Sequence, residues 1–243
     1  METSPLIWLR AEYHLPALSS CRVPMTSITS ARALPTPGPA TVRLALIRTG
    51  IEVFGMAYVE SVLFPLITAL PLHIRPPERV ALTPHVLHAY KIEDKTQQQS
   101  CAPISREMAH TEGPLTLYLH LPIPMQDRFR LLLQMIGYWG QAHSLACCTR
   151  IEQGSPPLEE CLTPLRLFKA QASLRPFFSS LLSEFRDTTL CWHDVMPLLG
   201  NPSPNPLRLE IYVWPLVTVM HHGSGRLLLR QPFTLPQEAA TPT

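Results

Sequence analysis

The sequence has little lysine, little charge and no long apolar run. Only Lys91, Lys95 and Lys169 are lysines among the 20 basic residues, so the other 17 are arginine. Arginine offers a flat fork to phosphate and stacks on bases, which suits nucleic acid. High-GC coding also enriches arginine, proline and alanine, and that compositional reading stands beside the first. Charged residues are 16% of the chain, low for a freely soluble monomer. Such a surface is often covered by partners. The longest uncharged apolar stretch, 61–72, is too short to span a bilayer and contains proline. The start METSPLIWLRAEYH has neither a basic segment nor a long apolar one, which argues against a signal peptide. The six cysteines contain no CxxC pair, and we expect reduced core thiols in a cytosolic, cytoplasmic protein.

Other absences exclude chemistry. There is no Walker or dinucleotide glycine pattern and no GxSxG elbow or Cys/His pair in context. HVLH (85–88) and CWHD (191–194) contain metal-ligand types, and a His pair three apart can share a helix face. Neither has a matching second half-site. No metal, no cofactor and no catalytic residue is therefore expected.

What is present is a chain of 243 residues, 46% hydrophobic, with 27 scattered prolines. It can bury a substantial core, and its prolines favour short elements and turns over long helices. LIWLRAEYHL (6–15) alternates as a strand, and 16–39 read as a Ser/Thr/Pro-rich loop. Residues 40–54 have helical spacing and stop at Gly55, and 59–70 give a further helical piece broken by Pro65. PLHIRP (71–76) is a short strand, followed by a long polar segment over 77–113. GPLTLYLHLPI (113–123) is a strand, 125–139 an amphipathic helix with Asp127 near its start, and 143–151 another strand. GSPP (154–157) marks a boundary, and 158–199 look helical or irregular. Two strands, 207–220 and 226–233, are joined by HHGSG, before a frayed tail.

The order is strand, helix, strand, insertion, strand, helix, strand. This is the α+β, βαββαβ pattern of a ferredoxin-like or RRM-like domain, assigned to residues 1–152, with a smaller β-containing C-terminal region over 153–243. An insertion of the length of 77–112 is too long for a hairpin turn.

Two places suit nucleic-acid contact. Arg22, Arg32 and Arg43 surround the first strand–helix connection, where PTPGPATVR opens a helix, and helix starts near arginines attract anions. At YWGQAHS (138–144) a helix ends at Gly140, leaving Trp139, Gln141, His143 and Ser144 at a junction. The alternative there is that Trp139 is core and Gly140 a plain terminator. GSGR (223–226) reads as a nest for an anion or, more simply, as a hairpin turn.

Taken together, SSCRVP, PTPGPATVRLALIRTGIEVFG, PISREMAHTEGPLTLYL and IGYWGQAHSLACC resemble the Cas-five family of the RAMP superfamily. This family caps the five-prime handle of the guide RNA in Cascade-type CRISPR effector complexes. The resemblance covers 6–151 and is one of pattern and order. It implies that 77–112 form an inserted β-hairpin thumb lying across the crRNA, with Lys91 and Arg106 as contacts. It also implies that Thr41 and Arg43 lie along the handle, and that the partners are other Cas proteins, a backbone and a large subunit, in antiviral defence. One branch of the family cleaves precursor RNA with Tyr, His and Lys. HAYK (88–91) holds those types, but we expect a non-catalytic subunit. The alternatives are a crRNA-processing endoribonuclease of the same superfamily and a structural adaptor that does not bind RNA.

Overall fold

The computed structural model describes residues 5–24, 26, 30–92, 99–168, 174, 176–185, 192 and 207–233. The strand expected at 6–15 is β1 (Leu6–His14). The first helix, α1 (Pro39–Phe54), opens with Gly38 at its cap and Pro39 in its first turn, where a missing N–H costs nothing. It stops at Gly55, whose φ of 83° only glycine adopts readily and whose N–H reaches Ile51 O. Pro65 does not break the next helical run. α2 (Met56–Tyr58), a π-turn (Val59–Leu63) and α3 (Phe64–Ala69) follow without a gap, and Pro65 sits in the first turn of α3. β3 (Leu72–Arg75) comes next.

The 77–112 segment is a long antiparallel hairpin, β4 (Arg79–Ile92) and β5 (Gln99–Glu112). Its register runs from Arg79 opposite Glu112 to Ile92 opposite Gln99. β6 (Leu115–Pro122), a 3-10 turn and α4 (Gln126–Met135) follow. α4 ends earlier than its periodicity suggests, because Ile136 turns to extended backbone. β7 (Cys147–Gln153) starts correspondingly later than expected.

β1, β3, β6 and β7 form an antiparallel sheet in the order β3-β6-β1-β7. This is the split βαβ arrangement expected of βαββαβ order. Leu9, Ala11 and Tyr13 of β1 and Leu115, Leu117 and Leu119 of β6 are buried. They share one core with Leu46 of α1 and Phe129, Leu132 and Leu133 of α4. Strand alternation and helical stripes thus bury the same apolar surface from two sides.

The C-terminal third departs from its sequence reading. Besides a short bridge strand, β8 (Thr163–Pro164), it contains β9 (Phe177–Phe185) in a region expected to be helical or irregular. β10 (Leu207–His222) and β11 (Gly225–Arg230) form the expected hairpin, turning at Gly223 and Ser224. β11 pairs with β4, and β10 pairs with both β8 and β9. With β2 (Ser30–Ala31) running parallel to β5, they make a second sheet in the order β2-β5-β4-β11-β10-β8. Across residue 153 the two segments share one core: Leu182, Trp214 and Leu228 pack in the same cluster as Leu46 and Leu117. The tail from 234 lies outside the described residues.

The described cysteines are all free. Cys21 and Cys161 are core residues as expected, and burial pushes both thiols up to about 12. Cys101 and Cys147 are exposed, contrary to the core expectation, because each lies on a strand face that no described residue covers. Among the described residues no helix is long and apolar enough to cross a membrane.

Candidate nucleic-acid interface

The segment between β1 and α1 is strapped to the root of the long hairpin. Ser19 and Ala109 exchange two backbone hydrogen bonds at 2.8 Å. Arg22 bridges Ala33, and β2 pairs Ser30 with Ser105 and Ala31 with Arg106. The Ala33 N–H donates to Glu107 Oε2 at 3.0 Å. From the C-terminal hairpin, Arg226 Nη2 donates to Glu107 Oε1 at 2.9 Å, and its guanidinium lies 5.3 Å from the Phe178 ring centre. Two cavities of about 400 and 290 Å³ open side by side here, both lined by Arg32 and Arg226.

The arginines divide sharply. Nearly every described arginine donates to a carboxylate, a carbonyl or a sulfur, as Arg10, Arg75, Arg166 and Arg230 do. Among the described residues only Arg22, Arg32 and Arg106 have side chains with no hydrogen bond or ion pair. Arg32 is exposed, whereas Arg22 and Arg106 are half-buried with an unpartnered Nε. All three belong to the strap or to β5, which carries it. Strand alternation sets Arg106 on the opposite face of β5 from Ser105 and Glu107, so it does not enter the two cavities. Lys91 stands opposite Ser100 in the hairpin, and its side chain lies outside the described residues.

The glycine junction is a closed turn. Ala146 N donates to Gly137 O, Trp139 N to Ser144 O and Ser144 N to Gln141 O. Trp139, expected at an RNA surface, is a core residue at 1% exposure, edge-on to Tyr13 at 4.9 Å. Ser144 is also removed from the surface, because its buried Oγ accepts the Ser20 N–H at 3.0 Å. Gln141 is half-buried and His143 exposed. Gly140, at φ 69°, needs its left-handed backbone, and a Cβ there would lie 3.6 Å from Thr41 Cγ2. The junction therefore does meet the start of α1 and the strap that carries Arg22. Arg48, which the sequence reading did not select, stacks 3.7 Å above the Tyr138 ring beside it.

Arg43 is a correction. At 9% exposure it points inward from a helix buried on most sides, ion-paired to Glu184 at 3.3 Å and donating to the Ile67 carbonyl. Glu184 also accepts the Tyr212 hydroxyl at 3.2 Å. Burial first, then the neighbouring Glu184, holds the Tyr212 phenol well above its ordinary range. Arg43 thus stitches α1 to β9 instead of facing a phosphate.

The HVLH pair lies on β4, not on a helix, so His85 and His88 point to opposite faces and cannot share a ligand. Of CWHD only Trp192 is described, and Tyr90 of HAYK has no described side chain. Among the described residues no group of three His, Cys, Asp or Glu side chains could hold a metal. A histidine cluster that the sequence did not suggest lies on the first sheet. Trp8 stacks on His120 at 4.5 Å and lies 5.4 Å from His73. Burial, and then His120, push His73 down to about 4.

No family model matches the chain. The fold defines an α+β protein with an inserted hairpin, and part of its sequence is similar to a CRISPR-associated protein. A stretch of 75 residues is 29% identical to the CRISPR-associated protein Cas5 of Archaeoglobus fulgidus. That stretch is 31% of this chain and spans 33% of the relative. The match agrees with the Cas-five resemblance of the sequence pattern and spans about a third of the relative's length. Solved structures with a similar course include a CRISPR protein from Archaeoglobus fulgidus, at 10% identity over 92% of both chains and a TM-score of 0.46. Another is a chain of the Type III-B Cmr-beta bound to cognate target RNA, at 8% identity over 61% of this chain and 60% of that one, with a TM-score of 0.47.

Proposed function

We propose that this chain is a non-catalytic, RNA-binding subunit of a CRISPR effector complex that holds the five-prime handle of the crRNA. The observation that carries this reading is the root of the long hairpin. There, Arg22, Arg32 and Arg106 keep their guanidiniums unpaired while the other described arginines are engaged within the fold. An unpaired guanidinium is what a phosphate needs. The match to Cas5 supports the same reading. The hairpin would lie across the RNA as a thumb, Arg32 would meet a phosphate at its root, and His143 and Gln141 would flank the strand near the start of α1. Backbone and large Cas subunits would cover the poorly charged surface.

The test is co-expression of the tagged chain with its neighbouring genes and a CRISPR array, followed by sequencing of the RNA that stays bound. Uniform guides with one defined five-prime handle support the role. A monomer free of RNA sinks it. With bound RNA in hand, Arg32→Gln should lower the slope of log affinity against log salt by about one, as loss of one phosphate contact does. An unchanged slope removes Arg32 from the interface.

A further inference from the structure

The second sheet turns one face to the core, and we infer that its open face is the docking site for an apolar protein segment that brings one carboxylate to Arg106. Alternation separates the two faces. Val80 of β4 and Leu228 of β11 are opposite each other in the core, so Leu227 and Leu229 turn the other way. Met220 stands opposite Leu227, and Val217 opposite Leu229, which carries this face onto β10. On β5 the buried Ala109 sets Arg106 and Met108 outward, opposite His85 and Thr83 of β4. Leu227, Leu229, Val217 and Met108 are partly exposed, and Met220 is 58% exposed. The chain covers one end of this face itself. Phe177 of β9, opposite Val217, packs against Phe233 at 4.9 Å, and Phe233 against Phe168 at 5.1 Å. That cover is apolar, and it leaves Met220 and the β4–β5 side bare.

Charge selects the occupant. Arg79 and Glu112 at the edge of the field pair with each other at 3.1 Å and cancel. Among the described side chains of the face, Arg106 alone carries an uncompensated charge. It makes no hydrogen bond or ion pair, and its Nε is buried. A second copy of the chain would bring another Arg106 and no free described carboxylate, so the face does not complement itself. A nucleic-acid strand would gain one phosphate contact and set a polyanion against apolar side chains. A protein segment with an apolar side and one acidic residue meets both needs. It removes the apolar surface from water and gives the guanidinium a charge-assisted partner. Four strands about 4.8 Å apart make the field about 15 Å wide, the length of about ten helical residues. One short amphipathic helix therefore fits it. Arg106 thus parts from Arg32, which opens on the other face. The inference rests on the proposed function only in taking the chain to be one subunit of a complex.

The experiment puts a photoreactive benzoylphenylalanine in place of Met220 in the tagged full chain. The chain is co-expressed with its neighbouring genes and a CRISPR array, and the crosslink is mapped by mass spectrometry. The expected product joins position 220 to another protein subunit, at a segment with apolar side chains and an Asp or Glu. A crosslink to RNA, to a second copy or to residues 234–243 of the same chain overturns the inference, as does an intact complex with no crosslink. Arg106→Glu should lower the amount of that subunit retained per chain by about tenfold, and a lysine in place of its mapped carboxylate should restore it. Arg106→Gln should leave the salt slope for RNA unchanged. A slope lowered by about one makes Arg106 a phosphate contact and overturns the assignment. Should Arg106→Glu fail to fold, Met220→Glu, at an exposed position of the same face, reads docking by the same retention. A complex that keeps the crosslinked subunit but holds no RNA overturns the proposed function and supports the docking face, so the two failures are told apart.

Discussion

In the first sheet, Leu9, Ala11 and Tyr13 alternate with half-buried neighbours along β1 and meet an equally apolar row on β6. In the second sheet, Val86 of β4 is 70% exposed, and Leu209 and Ile211 of β10 also face solvent. That sheet buries one face, with Val80, Leu82, Trp214, Leu216 and Leu228 in the shared core, and leaves the other open, while ion pairs such as Arg226 with Glu107 and Arg79 with Glu112 cross between its strands. The first is a body covered by helices. The second is a platform that extends into a long hairpin. The contrast changes what the arginine-rich composition means. Most of the described arginines pair with glutamates, so composition alone overstates the cationic charge left for a partner, and only the few unpaired ones supply it.

The comparison breaks most readily at Trp139. If the junction belongs to the body, Trp139→Ala should cost about 3–5 kcal/mol, the usual loss for a buried large aromatic, read by denaturant unfolding. Trp139→Phe should fold and bind RNA as wild type does, and a loss of affinity there would return Trp139 to the interface. Next is Arg43→Met. It leaves Glu184 without its cation but still holding the Tyr212 hydroxyl and the Phe185 N–H. We expect a loss of about 3 kcal/mol, the low end for breaking a buried pair. The salt slope for RNA should not move, and a lowered slope in a stable variant would contradict the stitching role.

A smaller effect tests the half-buried histidine cluster on the first sheet. His73 has its pKa lowered from 6.5 to about 4 in the folded chain. Above pH 6.5 it is neutral in both states and adds no pH dependence. As pH falls from 6.5 towards about 4 the unfolded chain takes up a proton that the folded chain refuses, so stability drops through that window. Thermal unfolding across it should show a steeper fall for wild type than for His73→Phe, and equal falls would sink the assignment. The smallest change sharpens the platform side. Gly223 turns the β10–β11 hairpin at φ 59° with no heavy atom near its missing Cβ. Gly223→Ala should therefore cost about 1 kcal/mol, the backbone strain alone.

How much of this was legible follows the same division. β1, α1, β6 and α4 were readable because alternation and helical spacing report a buried face within a dozen residues. Their order was enough to suggest the βαββαβ body. β9 was not readable. FFSSLLSEF lacks alternation, and it is a strand because β10 pairs with it from Leu207 opposite Phe185 onward. The β4–β5 hairpin was reachable only through the family resemblance, since 77–112 read as a polar insertion. Within the site, Arg22, Arg32, Thr41, Gln141 and His143 were legible as residues near one connection. Arg43, Trp139 and Ser144 carried the same local pattern but turned inward. Glu107, Phe178 and Arg226 were missed, because nothing in any short window links them.

Composition and local periodicity account for the strand–helix order of the body and for the arginine bias, which are properties of neighbouring residues or of the residue counts. Which arginines are free follows from long-range packing. Whether a guanidinium meets a carboxylate or solvent depends on a separation of about 3 Å between segments as far apart as Glu107 and Arg226, and no local periodicity encodes that distance.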